Sequence, residues 1–175
     1  MILPIVTYGN PILRKPGHQI KEKTKEIEEL IDNMFETLYE ADGVGLTATQ
    51  VDKPLSLFII DYDNGKETLK EAFINPEVID IMCEEGYYLE ACLSIPDIKE
   101  EVKRPSAVKI KYLDRDFNPK EVIYQDVLAR IVQHEYDHTQ GMLFTDRLAP
   151  IKKRLIANKL KAIMKKKFNV DYRTK

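Results

Sequence analysis

One pentapeptide constrains this chain more than any other feature: His134-Glu135-Tyr136-Asp137-His138, set inside residues 126–140, where apolar positions recur at helical spacing. Asp126 stands at the expected N-cap and Gly141 at the stop. On a helix, residues i and i+4 lie one above the other, so both imidazoles can reach one ion while Glu135 approaches a water beside it. That geometry suits metal-assisted hydrolysis. The competing reading places both histidines on a buried stripe with Val127 and Ile131, with no metal involved.

Two histidines do not complete a site, and the third ligand separates the hydrolase classes. The extended pattern H-E-x-x-H-x-x-G-x-x-H holds as far as Gly141 and fails at Phe144. No glutamate follows Glu135, so the arrangement that takes a downstream Glu fails too. Asp146, His18 and an upstream cysteine remain. His18, in the loop Pro16-Gly17-His18, reads as a solvated residue. Cys92 follows the alternating Tyr87-Tyr88-Leu89, where a strand would hand over to a loop. As a thiolate it would complete a His2Cys set with one open position. The plainer reading of a lone cysteine is a small buried apolar residue, and Cys83, flanked by Met82 and two glutamates, keeps it.

Directly after the first helical segment comes Gly43-Val44-Gly45-Leu46-Thr47-Ala48-Thr49-Gln50. It reads either as a helix stop followed by a glycine-permitted turn, or as a functional loop. In the second reading Gly45 admits a substrate backbone and Gln50 offers an amide donor to a developing oxyanion. It is no dinucleotide fingerprint, because it follows a helix and lacks a third glycine.

The rest of the chain predicts an α+β fold. Residues 24–41 form an amphipathic helix with Thr24 as N-cap and Asp42-Gly43 as stop, and a basic helix covers residues 150–168. Residues 55–60, 108–112 and 121–124 read as strands, the last two as a hairpin. Strands grouped between helices imply an antiparallel sheet, here packed around the central H-E-x-x-H helix. At 175 residues and 43% hydrophobic content, residues 1–175 form a single domain. The 27 basic and 29 acidic residues nearly cancel, so net charge demands neither nucleic acid nor membrane. No apolar run approaches the ~20 residues of a membrane span. The two cysteines suit a reducing compartment, and a cytoplasmic protein is expected.

Together, three segments resemble the signature motifs of the peptide deformylases, which remove formyl groups from newly made bacterial proteins. The family pattern G-x-G-L-A-A-x-Q is similar to residues 43–50, E-G-C-L-S to residues 90–94, and Q-H-E-x-D-H-x-x-G to residues 133–141. The resemblance runs from Tyr8-Gly9-Asn10-Pro11 to the final helix. It implies that Cys92, His134 and His138 bind one divalent metal, usually Fe(II), with zinc or nickel able to substitute. It also implies that Glu135 moves the proton, that Gln50 and the Leu93 amide meet the oxyanion, and that the substrate is an N-formylmethionyl peptide. Gly45, Val44, Val127 and Ile131 are candidates for binding that substrate, and Glu90 for pairing with Arg104.

Two positions depart from the pattern: Thr47 replaces alanine, and Ala91 replaces the glycine before Cys92. If that glycine has a backbone conformation costly for other residues, the expectation is a slowed enzyme that reverting both positions would accelerate. Two other readings stay open: a zinc endopeptidase with Asp146 as third ligand, in which Cys92→Ser keeps the metal, and a non-catalytic ribosome-associated relative. The basic C-terminal helix reads as a solvated face or as a surface docking on ribosomal RNA.

Overall fold

The computed structural model describes residues 1–175. Its architecture is α+β: a five-stranded sheet in the order β1-β2-β3-β4-β5, every neighbouring pair antiparallel, with three α-helices. The strands are β1 (Gly45–Thr47), β2 (Leu57–Asp63), β3 (Thr68–Cys92), β4 (Ile95–Leu113) and β5 (Pro119–Gln125). The helices are α1 (Lys25–Glu40), α2 (Asp126–Thr139) and α3 (Pro150–Met164).

Strand β2 explains the layering. Its run Leu57-Phe58-Ile59-Ile60 is fully buried, because alternate side chains leave opposite faces of the sheet and both faces are covered. Leu57 and Ile59 join Leu30, Ile31, Met34 and Leu38 of α1 in one core cluster. Phe58 and Ile60 join Phe73, Val108, Ile110 and the Ala129 and Val132 of α2 in another, where Phe58 stacks on Phe73 at 4.4 Å. Each large apolar side chain buried this way contributes about 1.5–3 kcal/mol. A third cluster packs Ile156 and Ile163 of α3 on Ile95, Ile98 and Val102 of β4. Helix α2 thus lies at the centre, in contact with all five strands.

Thr24 caps α1 as expected, its hydroxyl accepting from the Ile27 amide at 3.4 Å. All three helices end in the same way: the residue after the C-cap is left-handed, and its amide and the following one bond back to the last turn. Asp42, Gly141 and Lys166 take that position, at φ 51°, 73° and 55°. In α2 the amides of Gly141 and Met142 donate to His138 and Asp137. A Cβ on Gly141 would also lie 2.7 Å from the Arg14 carbonyl oxygen.

Several boundaries differ from the sequence expectation. The N-cap of α2 is Gln125, one residue before Asp126, and no side chain caps it. Helix α3 ends at Met164 and not near residue 168, because Lys166 turns left-handed. Residues 43–50 are not merely a turn, since they contain β1 and a short 3-10 segment, Ala48–Val51. The largest difference is the length of β3 and β4. Bulges between Ile74 and Glu77, Val78 and Asp80, and Met82 and Glu85 reset the in-out alternation, so no uniform period marks β3 in the sequence. Cys83, expected buried, is exposed at φ 66° in the last of these bulges, and both cysteines are free.

Beyond α3 the chain turns back. The Ile5 amide donates to the Arg173 carbonyl and the Lys175 amide to the Ile5 carbonyl, each at 2.8 Å, so the two termini run side by side.

Candidate active site

Three elements converge on one cavity of about 350 Å³. From β3 come Glu90 and Cys92, and from the turn after it Leu93. From the segment after α1 come Val44, Gly45 and Gln50, and from α2 Val127, Ile131, His134 and Glu135. His138 lies beneath them, 1% exposed.

The donor atoms of Cys92, His134 and His138 all lie within 4.8 Å of one another, with Cys92 Sγ 3.3 Å from His138 Nε2. A tetrahedral ion bound at ~2.3 Å to sulfur and ~2.0–2.1 Å to nitrogen spaces its donors by roughly 3.5 Å, so these residues fit one metal. Their electrostatics agree. Burial and the nearby positive charges of His134 and Arg104 push His138 well below its ordinary value, leaving a neutral imidazole with a free lone pair. His134 is held the other way: burial opposes its charge, but hydrogen bonds with Cys92 and Glu90 raise it, which marks a pocket that attracts positive charge. Asp146 is not among these donors. Its carboxylate takes the Leu143 amide at 2.8 Å and pairs with Arg14. His18 is exposed, its backbone bridging to Leu55.

Behind the ligands stands a buried ionic network. Arg104, completely buried, grips Glu90 with Nε and Nη2 at 2.6 and 2.9 Å, and its Nη1 donates to Asp137 at 2.8 Å. Glu90 Oε2 in turn lies 3.0 Å from His134 Nδ1, which directs Nε2 into the site. Burial would raise the Glu90 carboxyl, but hydrogen bonds from His134 and Arg104 hold it down at about 2. Asp137 also accepts two bonds from Arg147 at 2.6 Å. The spacing of the pentapeptide offers one signal for Asp137, because it sits three residues after His134 and so shares a helical side with it.

Glu135 is 4% exposed, and burial raises its carboxyl above the ordinary carboxylate value. Thr47 donates to Glu135 Oε2 at 2.7 Å. The residue that departs from the family pattern therefore holds the Glu135 carboxylate by a hydrogen bond, an effect that motif comparison alone does not reveal. Gly45 lines the cavity, and a Cβ there would lie 2.6 Å from Glu135 Oε1, so its missing side chain also leaves room for that carboxylate. The Thr47 amide donates to Gln50 Oε1 at 2.8 Å, which turns Nε2 towards Ser94 Oγ at 3.1 Å and Cys92 Sγ at 3.6 Å. Ala91 pairs with Lys99 just before a register shift at Cys92, but its φ is not positive, so it carries no left-handed strain.

A sequence model described as polypeptide deformylase matches residues 2–154, leaving residues 155–175 outside the match. A peptide deformylase of Christiangramia forsetii is 43% identical, the comparison covering 99% of this chain and 95% of that one. A peptide deformylase of Flavobacterium psychrophilum is 44% identical, covering 100% and 97%. Among solved structures, a peptide deformylase from Legionella pneumophila superposes with a TM-score of 0.85 at 35% identity, covering 94% of this chain and 96% of that one. The chain belongs to the polypeptide deformylase family, metallohydrolases that remove N-terminal formyl groups from nascent peptides.

Proposed function

We propose that deformylation in this chain is carried by Cys92, His134 and His138 as metal ligands and by Glu135, Gln50 and the Leu93 amide as the reacting groups. The observation that supports this reading best is the convergence of the three donor atoms within 4.8 Å beside a cavity lined by Glu135 and Gln50. A divalent ion held there would supply Lewis acidity, making a water nucleophilic near neutral pH and polarising the formyl oxygen. Glu135 takes the proton of the attacking water and passes it to the departing amine nitrogen. As the formyl carbon becomes tetrahedral, Gln50 Nε2 and the Leu93 N–H donate to its oxygen, where negative charge collects. Formate and a free amino terminus leave. Val44, Val127 and Ile131 give the cavity an apolar side suited to a methionine side chain.

The test is formate release from a formyl-Met peptide by the wild type and by Glu135→Ala. The variant keeps its metal and loses about 10²–10⁴ in kcat. Metal loss on the scale of His134→Ala would refute the role given to Glu135.

Within the same reading the native ion is Fe(II), with zinc or nickel as substitutes, since a thiolate with two imidazoles suits all three. Iron-loaded enzyme then loses activity in air through oxidation of metal or thiolate, while nickel-loaded enzyme persists; equal aerobic half-lives would overturn the iron assignment. Residues 1–175 act as one deformylase domain, in the bacterial cytoplasm where nascent formylated chains emerge. No helix is long and apolar enough to cross a membrane. Exposed Lys159, Lys161 and Arg154 on or near the outer face of α3 offer a surface for docking on the ribosome, whose salt-dependent loss on replacing these residues is the check.

A further inference from the structure

The turn that carries the Leu93 amide is not self-sufficient. Cys92 pairs with Ile95, so Leu93 and Ser94 alone connect β3 to β4. Two-residue hairpin turns ordinarily use left-handed residues to match the twist of their strands, hence their preference for Asn and Gly. Neither Leu93 nor Ser94 has a positive φ; the left-handed residue is Asp97, outside the turn, in the register jump between the Cys92–Ile95 and Ala91–Lys99 pairs. Hydrogen bonds from outside the hairpin hold both of the turn's carbonyls. The Tyr8 amide donates to the Ser94 carbonyl at 2.8 Å, and the Tyr172 hydroxyl donates to the Leu93 carbonyl at 2.7 Å.

Tyr172 comes from the far end of the chain, beyond residues 2–154 matched by the sequence model. Its segment is fixed at several points: the Ile5 backbone bonds to Arg173 and Lys175, Lys166 Nζ donates to Thr7 Oγ1 and the Lys175 carbonyl, and Lys175 pairs with Asp52. Asp52 follows directly on the 3-10 segment that carries Gln50, and the Val6 amide donates to the Gln50 carbonyl at 2.7 Å. The C-terminal segment therefore ties together the two places that supply oxyanion donors. Tyr172 also lines the cavity itself.

We propose that the C-terminal segment is a strap for the reaction and that Tyr172 is its positioning residue, holding the Leu93–Ser94 turn so that the Leu93 amide faces the transition-state oxygen. The inference rests on the role given to Leu93 above. Tyr172 touches no reacting atom; it acts through the carbonyl it holds.

Tyr172→Phe keeps the ring and removes the hydroxyl. Formate release is measured on metal-loaded, full-length wild type and variant, with metal content and thermal midpoint read from the same preparations. The strap predicts a fall in kcat of about tenfold, less than the ~10²–10³ that loss of a complete oxyanion donor costs. KM, metal content and midpoint stay near wild type. Unchanged kcat overturns the proposal, as does a lower midpoint with kcat per bound metal unchanged, which would make Tyr172 a packing residue only. Amide exchange across residues 92–95, followed by mass spectrometry, reads the turn without reference to turnover. Faster exchange in the variant supports the strap and unchanged exchange overturns it. If the wild type releases no formate, the assignment of the reaction fails, while the exchange measurement still decides whether the strap holds the turn.

Discussion

Cys83 and Cys92 lie on the same strand and have opposite surroundings. Around Cys92 the carboxylates of Glu90 and Asp137 are buried and paired: Glu90 with Arg104 and His134, and Asp137 with Arg104 and Arg147. Around Cys83 the strand bulges into solvent, and its charges form surface pairs such as Lys103 with Glu85. Exposed pairs contribute about 0–1 kcal/mol each, whereas breaking a buried pair by removing one partner costs about 3–5 kcal/mol. The same hairpin thus ties one end over the site through buried pairs and leaves its middle tolerant. Only at Cys92 does the surrounding network place a thiol opposite two imidazoles, where it could serve as a ligand.

Substitutions can break that contrast, beginning with the largest effect. Cys92→Ser removes the thiolate, and metal affinity should fall well beyond the ~10–100-fold that loss of an outer-shell partner costs, with deformylation falling alongside it. Metal content by mass spectrometry checks this, and a variant that kept its ion would overturn Cys92 as a ligand. Arg104→Leu takes both guanidinium bonds from buried Glu90 and leaves Asp137 with Arg147 alone, so urea unfolding should show a loss of about 3–5 kcal/mol. A loss below about 1 kcal/mol, the value of a surface pair, would mean that the two ends of the hairpin do not differ as described.

Thr47→Ala sharpens the comparison within the site. Its hydroxyl is the donor to Glu135 Oε2, and a hydrogen bond to a charged group contributes ~1.5–3 kcal/mol. The expected result is a fall of about tenfold in kcat/KM, at the low end of that range. The family pattern alone points the other way, since alanine is usual there, and a rise in kcat/KM would favour it. Cys83→Ser gives the smallest effect: stability within about 0.5 kcal/mol of wild type, and unchanged formate release. A larger change would show that the exposed bulge is coupled to the site.

The sequence was most informative where a local period carried the signal. Helices α1 and α2 are legible because their apolar residues recur at helical spacing and their ends carry Thr24, Asp42 and Gly141. The spacing of His134 and His138 is a property of one helix, so their shared face is legible as well. Strand β3 is illegible over most of its length because three bulges reset its alternation, and Cys83 shows the consequence. Glu90 lying between Arg104 and His134 joins residues far apart in sequence, and no spacing rule reports it.

Taken alone, then, the sequence determined the helices, the α+β class and the chemical type of the groups, since these depend on local periodicity and on side-chain identity. It also made the family resemblance visible through three short motifs. Tertiary structure decided which groups meet. Glu135 occupies the space that Gly45 leaves free, Thr47 supplies a hydrogen bond where its identity suggested a defect, and Tyr172 reaches Leu93 from the last residues of the chain. Each is a contact between segments brought together by a shared core, and such contacts follow from packing and not from any period along the chain.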